Sequence, residues 1–147
     1  MSDTGKQQRD TKQRRMVCDA VMRHYDHPDA DAIYLELHEL DPRLSKATVY
    51  RNLNLLAENG AIRHVKVPGA PDRFDRTCAA HSHILCTVCG VVVDSPVPYS
   101  TEDDARAAAE TGFRITGHET VYEGICPDCL AGMTGSAEVS AVGVHCK

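Results

Sequence analysis

Two C-x-x-C pairs, Cys86-Thr-Val-Cys89-Gly90 and Cys126-Pro-Asp-Cys129, are separated by 36 residues in a chain of 147. No other feature restricts the fold as tightly. Each pair can donate two thiolates to one tetrahedral ion, and four thiolates select zinc in a closed, non-catalytic site. Such a site pulls residue 86 and residue 126 to one point and, in a small domain, substitutes for hydrophobic core. Gly90 and Pro127 suit the tight turns of zinc knuckles. The competing reading, a thiol–disulfide motif, usually opens a helix within a βαβ unit, whereas the sequence from Val91 onward is strand-like. Seven cysteines without a hydrophobic N-terminal export segment also favour metal over stable disulfides. Cys18, Cys78 and Cys146 are left as single core, loop and tail thiols.

The net charge of −5 is unevenly spread: residues 1–76 carry 13 Lys/Arg against 12 Asp/Glu, and residues 77–147 carry 3 against 9. Contact with phosphate therefore belongs to the first half. No apolar run approaches the ~18–20 residues of a membrane span, so the expected compartment is the cytoplasm, with no membrane partner.

Apolar spacing predicts a helix over 10–25, with Met16/Val17, Ala20/Val21 and Tyr25 on one face and Lys12, Arg14 and Arg15 crowding its start. Asp29 caps a second helix to about residue 40 that buries Ala30, Ile33, Leu37 and Leu40. Ser45 caps a third through Glu58, stopped by Asn59-Gly60. "AIRHVKV", the turn "PGAPD" and "RFDR" then read as a hairpin. This is the order of a winged helix-turn-helix. Further on, "GVVVDSPVP" reads as a strand, Thr101 with Glu102, Asp103 and Asp104 opens a helix ending at Gly112, and "FRITGHETVYEGIC" alternates as a strand. The expected fold class is α+β. A winged helix-turn-helix DNA-binding domain occupies 1–78, with 1–9 as a flexible arm. A small α/β dimerisation domain with the zinc site occupies 79–130, and 131–147 form a flexible tail.

The third helix, "SKATVYRNLNLLAENG", turns Lys46, Tyr50, Arg51 and Asn54 away from its apolar face. Arg can fork onto guanine, Asn can pair with adenine, and an aromatic group can meet the thymine methyl. A solvated amphipathic helix would show the same charges, but the preceding helix and the following hairpin favour groove reading. Arg14 and Arg15 are the accompanying basic candidates. One such helix covers few base pairs, so specificity asks for a homodimer on a palindromic double-stranded operator.

With the knuckles assigned, "RFDRTCAAHSH" still offers Asp75, His81 and His83. His-x-His on extended backbone puts both imidazoles on one face. Asp94 lies downstream, and His27 stands at a helix boundary. Imidazoles mixed with carboxylates are a harder, more open donor set than thiolates and suit Fe(II), Mn(II) or Zn(II). A metallohydrolase or oxidoreductase would also use an open metal, but it needs a positioned acid–base residue and a substrate cleft. A zinc-ribbon interaction module would not need His27 and Asp75.

The ordered pieces "HPDADAIY", "SKATVYRNLNLLAENG", "RFD", "HSHILCTVCG", "VVVD", "GF" and "YEGICPDC", between residues 27 and 129, resemble the ferric uptake regulator family of metal-responsive DNA-binding repressors. The resemblance implies a non-enzymatic homodimer with a regulatory ion on His27, Asp75, His81, His83 and Asp94. It implies structural zinc on Cys86, Cys89, Cys126 and Cys129, and base contacts from Tyr50 and Arg51. Aspartate at both 75 and 94 resembles the peroxide-responsive branch, in which Fe(II) reacts with peroxide and a ligand histidine, here His27 or His81, is oxidised. Iron- or zinc-responsive uptake regulation is the alternative within the family. A further metal site found in many relatives lacks two ligands here, where Ala80 and Ser82 stand beside the His-x-His pair, and His118 alone matches it.

Overall fold

A computed structural model of the chain describes residues 3–134, and the chain divides into two compact units between Cys78 and Ala79. The first unit runs α1 (Asp3–Arg23), α2 (Ala30–Leu40), α3 (Lys46–Glu58), β1 (Arg63–Val65) and β2 (Arg73–Asp75). Val17, Ala20 and Val21 on α1, Ala30, Ile33 and Leu37 on α2, and Val49, Leu53 and Leu56 on α3 form one buried cluster with Leu44, Ile62 and Phe74. The three- and four-residue steps put each set on one helical face, and the three faces bury one another. Asp29 accepts from the Ala32 amide at 2.8 Å and Ser45 from the Thr48 amide at 3.2 Å, so both N-caps fall where the sequence places them. Each cap contributes about 1 kcal/mol. Gly60, at φ 71°, takes the left-handed position that ends α3. Strands β1 and β2 close an antiparallel hairpin with Arg63 opposite Asp75.

Three details differ from expectation. Helix α1 begins at Asp3, so residues 3–9 are helical where an arm was expected. That stretch is polar throughout and carries no apolar period to detect; extending an existing helix is far easier than nucleating one. Tyr25 lies beyond the end of α1 and is 79% exposed, with the Arg76 guanidinium 4.2 Å from its ring centre. Leu40, placed in the core by its spacing, is exposed at the last turn of α2.

The second unit runs β3 (His83–Cys86), β4 (Val92–Asp94), α4 (Thr101–Thr111), β5 (Val121–Gly124) and α5 (Pro127–Met133). Its sheet has the order β4-β3-β5, with β4 antiparallel and β5 parallel to the central β3. Helix α4 is capped by Ser100 rather than Thr101, carries three acids in its first turn and stops at Gly112. The strand expected from Phe113 onward forms only over 121–124, and Phe113 is exposed. Tyr99 and His118 hold the intervening segment instead. Their rings stack at 4.2 Å, the Tyr99 hydroxyl donates to Asp104 at 2.7 Å, and His118 Nδ1 meets the other Asp104 oxygen at 2.7 Å. His118 is thereby placed in a structural cluster. Helix α5 continues through residues expected to begin a tail; His145 and Cys146 lie outside the described residues. No helix among the described residues is long and apolar enough to cross a membrane.

Because Leu53 is fully buried at the centre of the three-helix cluster, Leu53→Ala should destabilise the first unit by roughly 2–5 kcal/mol. A denaturant titration followed by far-UV circular dichroism measures it.

Candidate metal centres and nucleic-acid face

The parallel register of β3 and β5 builds the first centre. Cys86 pairs with Gly124, so Cys126, two residues further on, arrives beside the first knuckle. Gly90, at φ 78°, turns that knuckle and donates its amide to the Cys86 carbonyl at 2.9 Å. Cys126 caps α5 and accepts from the Cys129 amide, while the Cys126 amide donates to Cys86 Sγ at 3.3 Å. The second knuckle thus does open a helix, the context that the sequence argument had associated with dithiol motifs, but it does so as one half of a four-sulfur group. The sulfurs of Cys86, Cys89, Cys126 and Cys129 all lie within 4.8 Å of one another. Cys86 and Cys129 are 3.9 Å apart; a tetrahedral zinc with bonds of ~2.3 Å requires sulfur–sulfur edges of about 3.8 Å. The residues fit the ion.

Burial opposes ionisation of Cys86, but the amides of Cys89, Cys126 and Val88 and the Cys129 thiol outweigh it and bring its pKa down to about 7. Burial and the neighbouring Cys86 push Cys129 upward. One thiolate is ready-made, and the next is costly without a cation to share its charge.

The second donor set falls into two groups, one in each unit. In the first unit, His27 Nε2 lies 3.3 Å from Asp75 Oδ2, and both side chains are 4% exposed. Among the described residues His27 is the non-glycine with positive φ, 52°. A β-carbon in that region is strained, and the residue before proline more so. Asp75 ends β2 and accepts from the Thr77 amide at 2.8 Å.

In the second unit, His83 on β3 faces Asp94 on β4 directly across the antiparallel pair, which brings their side chains to one side of the sheet. His83 Nε2 and Asp94 Oδ1 are 3.7 Å apart, and His83 is buried. His81, two residues earlier, shares that side, its ring 4.4 Å from that of His83 and its Nε2 3.0 Å from Asp94 Oδ1. His81 Nδ1 lies 2.7 Å from the Ala79 carbonyl and must donate to it. That bond makes Nδ1 the protonated nitrogen and turns Nε2 toward the Asp94 carboxylate, so Nε2 is the atom that could bind a cation shared with Asp94. Ligand atoms of His81, His83 and Asp94 lie within 4.8 Å of one another. Nitrogen and carboxylate oxygen with space for further ligands suits Fe(II) or Mn(II).

On α3, Lys46, Tyr50, Arg51 and Asn54 are all exposed, as groove reading requires. Arg51 also lines a polar groove with Arg9, Lys12, Arg43 and Thr48. Arg14 is half-buried, Arg15 is exposed, and neither lines that groove. Arg9 and Lys12 were overlooked as partners of Arg51. Their signal was helical spacing, since residues 9, 12, 13 and 16 share one face of α1.

A model of the ferric uptake regulator family matches residues 5–123. The peroxide operon regulator of Bacillus subtilis (strain 168) is 36% identical over 119 residues, covering 81% of this chain and 82% of that protein. The peroxide-responsive repressor PerR of Staphylococcus saprophyticus subsp. saprophyticus is 33% identical over 119 residues, covering 81% and 80% respectively. Among solved structures, the Campylobacter jejuni peroxide stress regulator matches with a TM-score of 0.70 at 28% identity, over 86% of this chain and 95% of that one.

Reduced protein purified with one zinc per chain should lose it on Cys129→Ser, which removes one buried ligand of the quartet. Metal analysis after dialysis should fall well below one zinc, with broader unfolding of the second unit. Full zinc retention would show that the four sulfurs do not share an ion.

Proposed function

The chain belongs to the ferric uptake regulator family, and on that premise we propose how its own residues do the work of a metal-dependent, peroxide-sensing transcriptional repressor. Its metals are a structural zinc and a regulatory Fe(II) or Mn(II). Cys86, Cys89, Cys126 and Cys129 hold the zinc and brace the second unit, whose buried apolar residues are few. His27 and Asp75 from the first unit and His81, His83 and Asp94 from the second hold the regulatory ion together. Two donors on one side and three on the other leave either group short of a full coordination shell, so the ion acts as a removable clasp.

Regulators of this family bind DNA as dimers. In this chain Val93, Val97, Phe113, Tyr122, Ile125 and Leu130 expose apolar surface on the second unit, a surface suited to pairing with a second copy. Two copies then present two α3 helices to a palindromic operator, whose half-sites lie about one helical turn apart or a multiple of it. Lys46, Tyr50, Arg51 and Asn54 meet base edges, and the groove beside Arg51 follows phosphate. The clasp fixes where each α3 points; without it affinity falls although no base contact is altered. An ion can favour the DNA-competent state only by its greater affinity for that state.

Ferrous iron, when bound, would supply the chemistry that activates hydrogen peroxide, and the imidazoles of His27 and His81 would be the groups oxidised, one peroxide oxygen being added to the ring and the other released as water. With the ion held through these imidazoles, an added oxygen on either ring would weaken the donor set and release DNA. The protein is consumed as a sensor rather than turning over as an enzyme, and it works in the cytoplasm. The single observation that carries this reading is the His81–His83–Asp94 triad, whose ligand atoms lie within 4.8 Å of one another, with His81 Nε2 turned toward Asp94 by the Nδ1 bond to Ala79. Iron- or zinc-responsive uptake regulation fits less well, because both 75 and 94 are aspartate and the two curated relatives compared are peroxide regulators.

His81→Ala should abolish metal-dependent operator binding while the dimer keeps its zinc. Unimpaired operator binding by that variant in chelator would overturn the clasp. Mass spectrometry of Fe(II)-loaded protein after peroxide should find one added oxygen on His27 or His81; addition only at methionine or cysteine would remove the peroxide assignment.

A further inference from the structure

The DNA-reading face of α3 is not open. Asp31, in the first turn of α2, places one oxygen, Oδ1, 2.6 Å from Lys46 Nζ and 2.7 Å from the Tyr50 hydroxyl. Lys46 and Tyr50 are i, i+4 neighbours on α3, and the ammonium also lies 5.6 Å from the centre of the Tyr50 ring. A single carboxylate oxygen therefore engages two of the four exposed side chains offered for recognition, and it comes from the neighbouring helix of the same helix-turn-helix. All three side chains face solvent, and the Lys46–Asp31 pair is more than half exposed on each side. Nothing in the core depends on this contact. Asp29, two residues earlier, caps α2 and is itself paired with Arg73 at 3.3 Å, so the helix start does not rely on Asp31.

We propose that Asp31 is a specificity-determining latch: it withholds Lys46 and Tyr50 from indiscriminate contact with DNA and yields them only where base edges and phosphate replace both of its bonds at once. This rests on the DNA-binding reading above and adds to it a residue that touches no DNA itself. The latch stays charged at neutral pH, since Lys46 and then Tyr50 hold the Asp31 carboxyl below its usual range. An exposed pair of this kind is weak enough to break in an encounter. It is still an obstacle, because a backbone phosphate alone can take Lys46 but gives the Tyr50 hydroxyl no substitute acceptor in the same position. At a matched site, Tyr50 turns onto a base edge while Lys46 takes the phosphate, and both bonds to Oδ1 are replaced. The carboxylate so freed also repels any phosphate placed wrongly, an unfavourable element directed at the wrong partner.

The test uses full-length, zinc- and Mn(II)-loaded dimer and two duplexes of equal length, one of random sequence and one selected by the wild-type protein from a random library. Fluorescence anisotropy is followed across a range of salt. In Asp31→Asn the random duplex should bind roughly two- to fivefold more tightly. Its log K against log salt should steepen by about 1.8, about 0.9 for each of the two Lys46 side chains of the dimer that become able to meet a phosphate. The selected duplex should gain less, so the ratio between the two falls. In a Lys46→Met background the same Asp31→Asn change should leave the slope unmoved, because no cation remains to be released. Asp31→Ser gives the same readout if the asparagine variant melts lower than wild type.

An unchanged slope and ratio in folded Asp31→Asn overturns the latch. So does an equal steepening in the Lys46→Met background, which would mean that Asp31 acts only through its general field. A selection in which wild-type protein enriches no sequence, with no binding to the random duplex, overturns the repressor reading itself and the latch with it, whereas wild-type binding with an insensitive Asp31 removes the latch alone.

Discussion

The parallel pairing of β3 with β5 is the contact on which the second unit depends. Cys86 lies opposite Gly124 and His83 opposite Val121. A slip of two residues would carry Cys126 away from Cys86 by about 7 Å, too far to share an ion. A slip of one would turn each strand's side chains to the wrong face. The same strand, through its antiparallel pairing with β4, brings His83 to Asp94. Both donor sets thus hang on four residues of backbone, one at each end. Thiolates gather where the strands stop and the chain must turn, and imidazoles gather where β3 begins. A strand so short is marginal alone, and a tetrahedral ion at one end supplies the constraint that few buried side chains could.

The two donor sets differ in permanence for a reason visible in their chemistry. Four thiolates around one cation make a closed shell, with no position for water or an oxidant, and the sulfurs of Cys86 and Cys126 accept from backbone amides. The imidazole–carboxylate set has an exposed member, Asp94, beside a buried one, His83. An ion held there could leave through the exposed side without unfolding the strand. A regulator needs both properties, and they are obtained from one sheet by setting soft donors at one end and hard donors at the other.

Much of this was legible in the sequence wherever the signal was local. Caps at Asp29 and Ser45, the stop at Gly60, the hairpin around "PGAPD" and the turn of each C-x-x-C knuckle follow from side-chain chemistry within a few residues. What escaped notice depended on partners distant in the chain. The parallel register of β5 is set by pairing with β3, and the strand pattern after Phe113 was defeated by Tyr99 and His118, which stack and share Asp104. Leu40 and Tyr25 satisfy the helical period but lie where the helices run past their neighbours. The polar start of α1 had no period at all. Among the site residues, His27, Asp75, His81, His83 and Asp94 could be named from composition and resemblance. The positive φ of His27 and the Ala79 bond that orients His81 could not, because backbone conformation and tautomer are properties of the folded chain.

The contact between Asp31 and α3 belongs to the same class of hidden information. In the sequence Asp31 is only an acid near the start of a helix, where the dipole favours it. Its position against Lys46 and Tyr50 arises because α2 and α3 pack through Ile33, Leu37, Val49 and Leu53, bringing the first turn of one beside the exposed face of the other. The hydrophobic contact that makes the helix-turn-helix therefore also decides which acid can reach the reading residues. For a protein of net charge −5, long-range attraction to DNA is weak, and the first unit must concentrate its few cations where they count. Holding one of them against a carboxylate until a matched surface arrives reduces attraction further but makes what remains more selective. A regulator acting among a vast excess of unrelated DNA is limited by that ratio rather than by affinity alone.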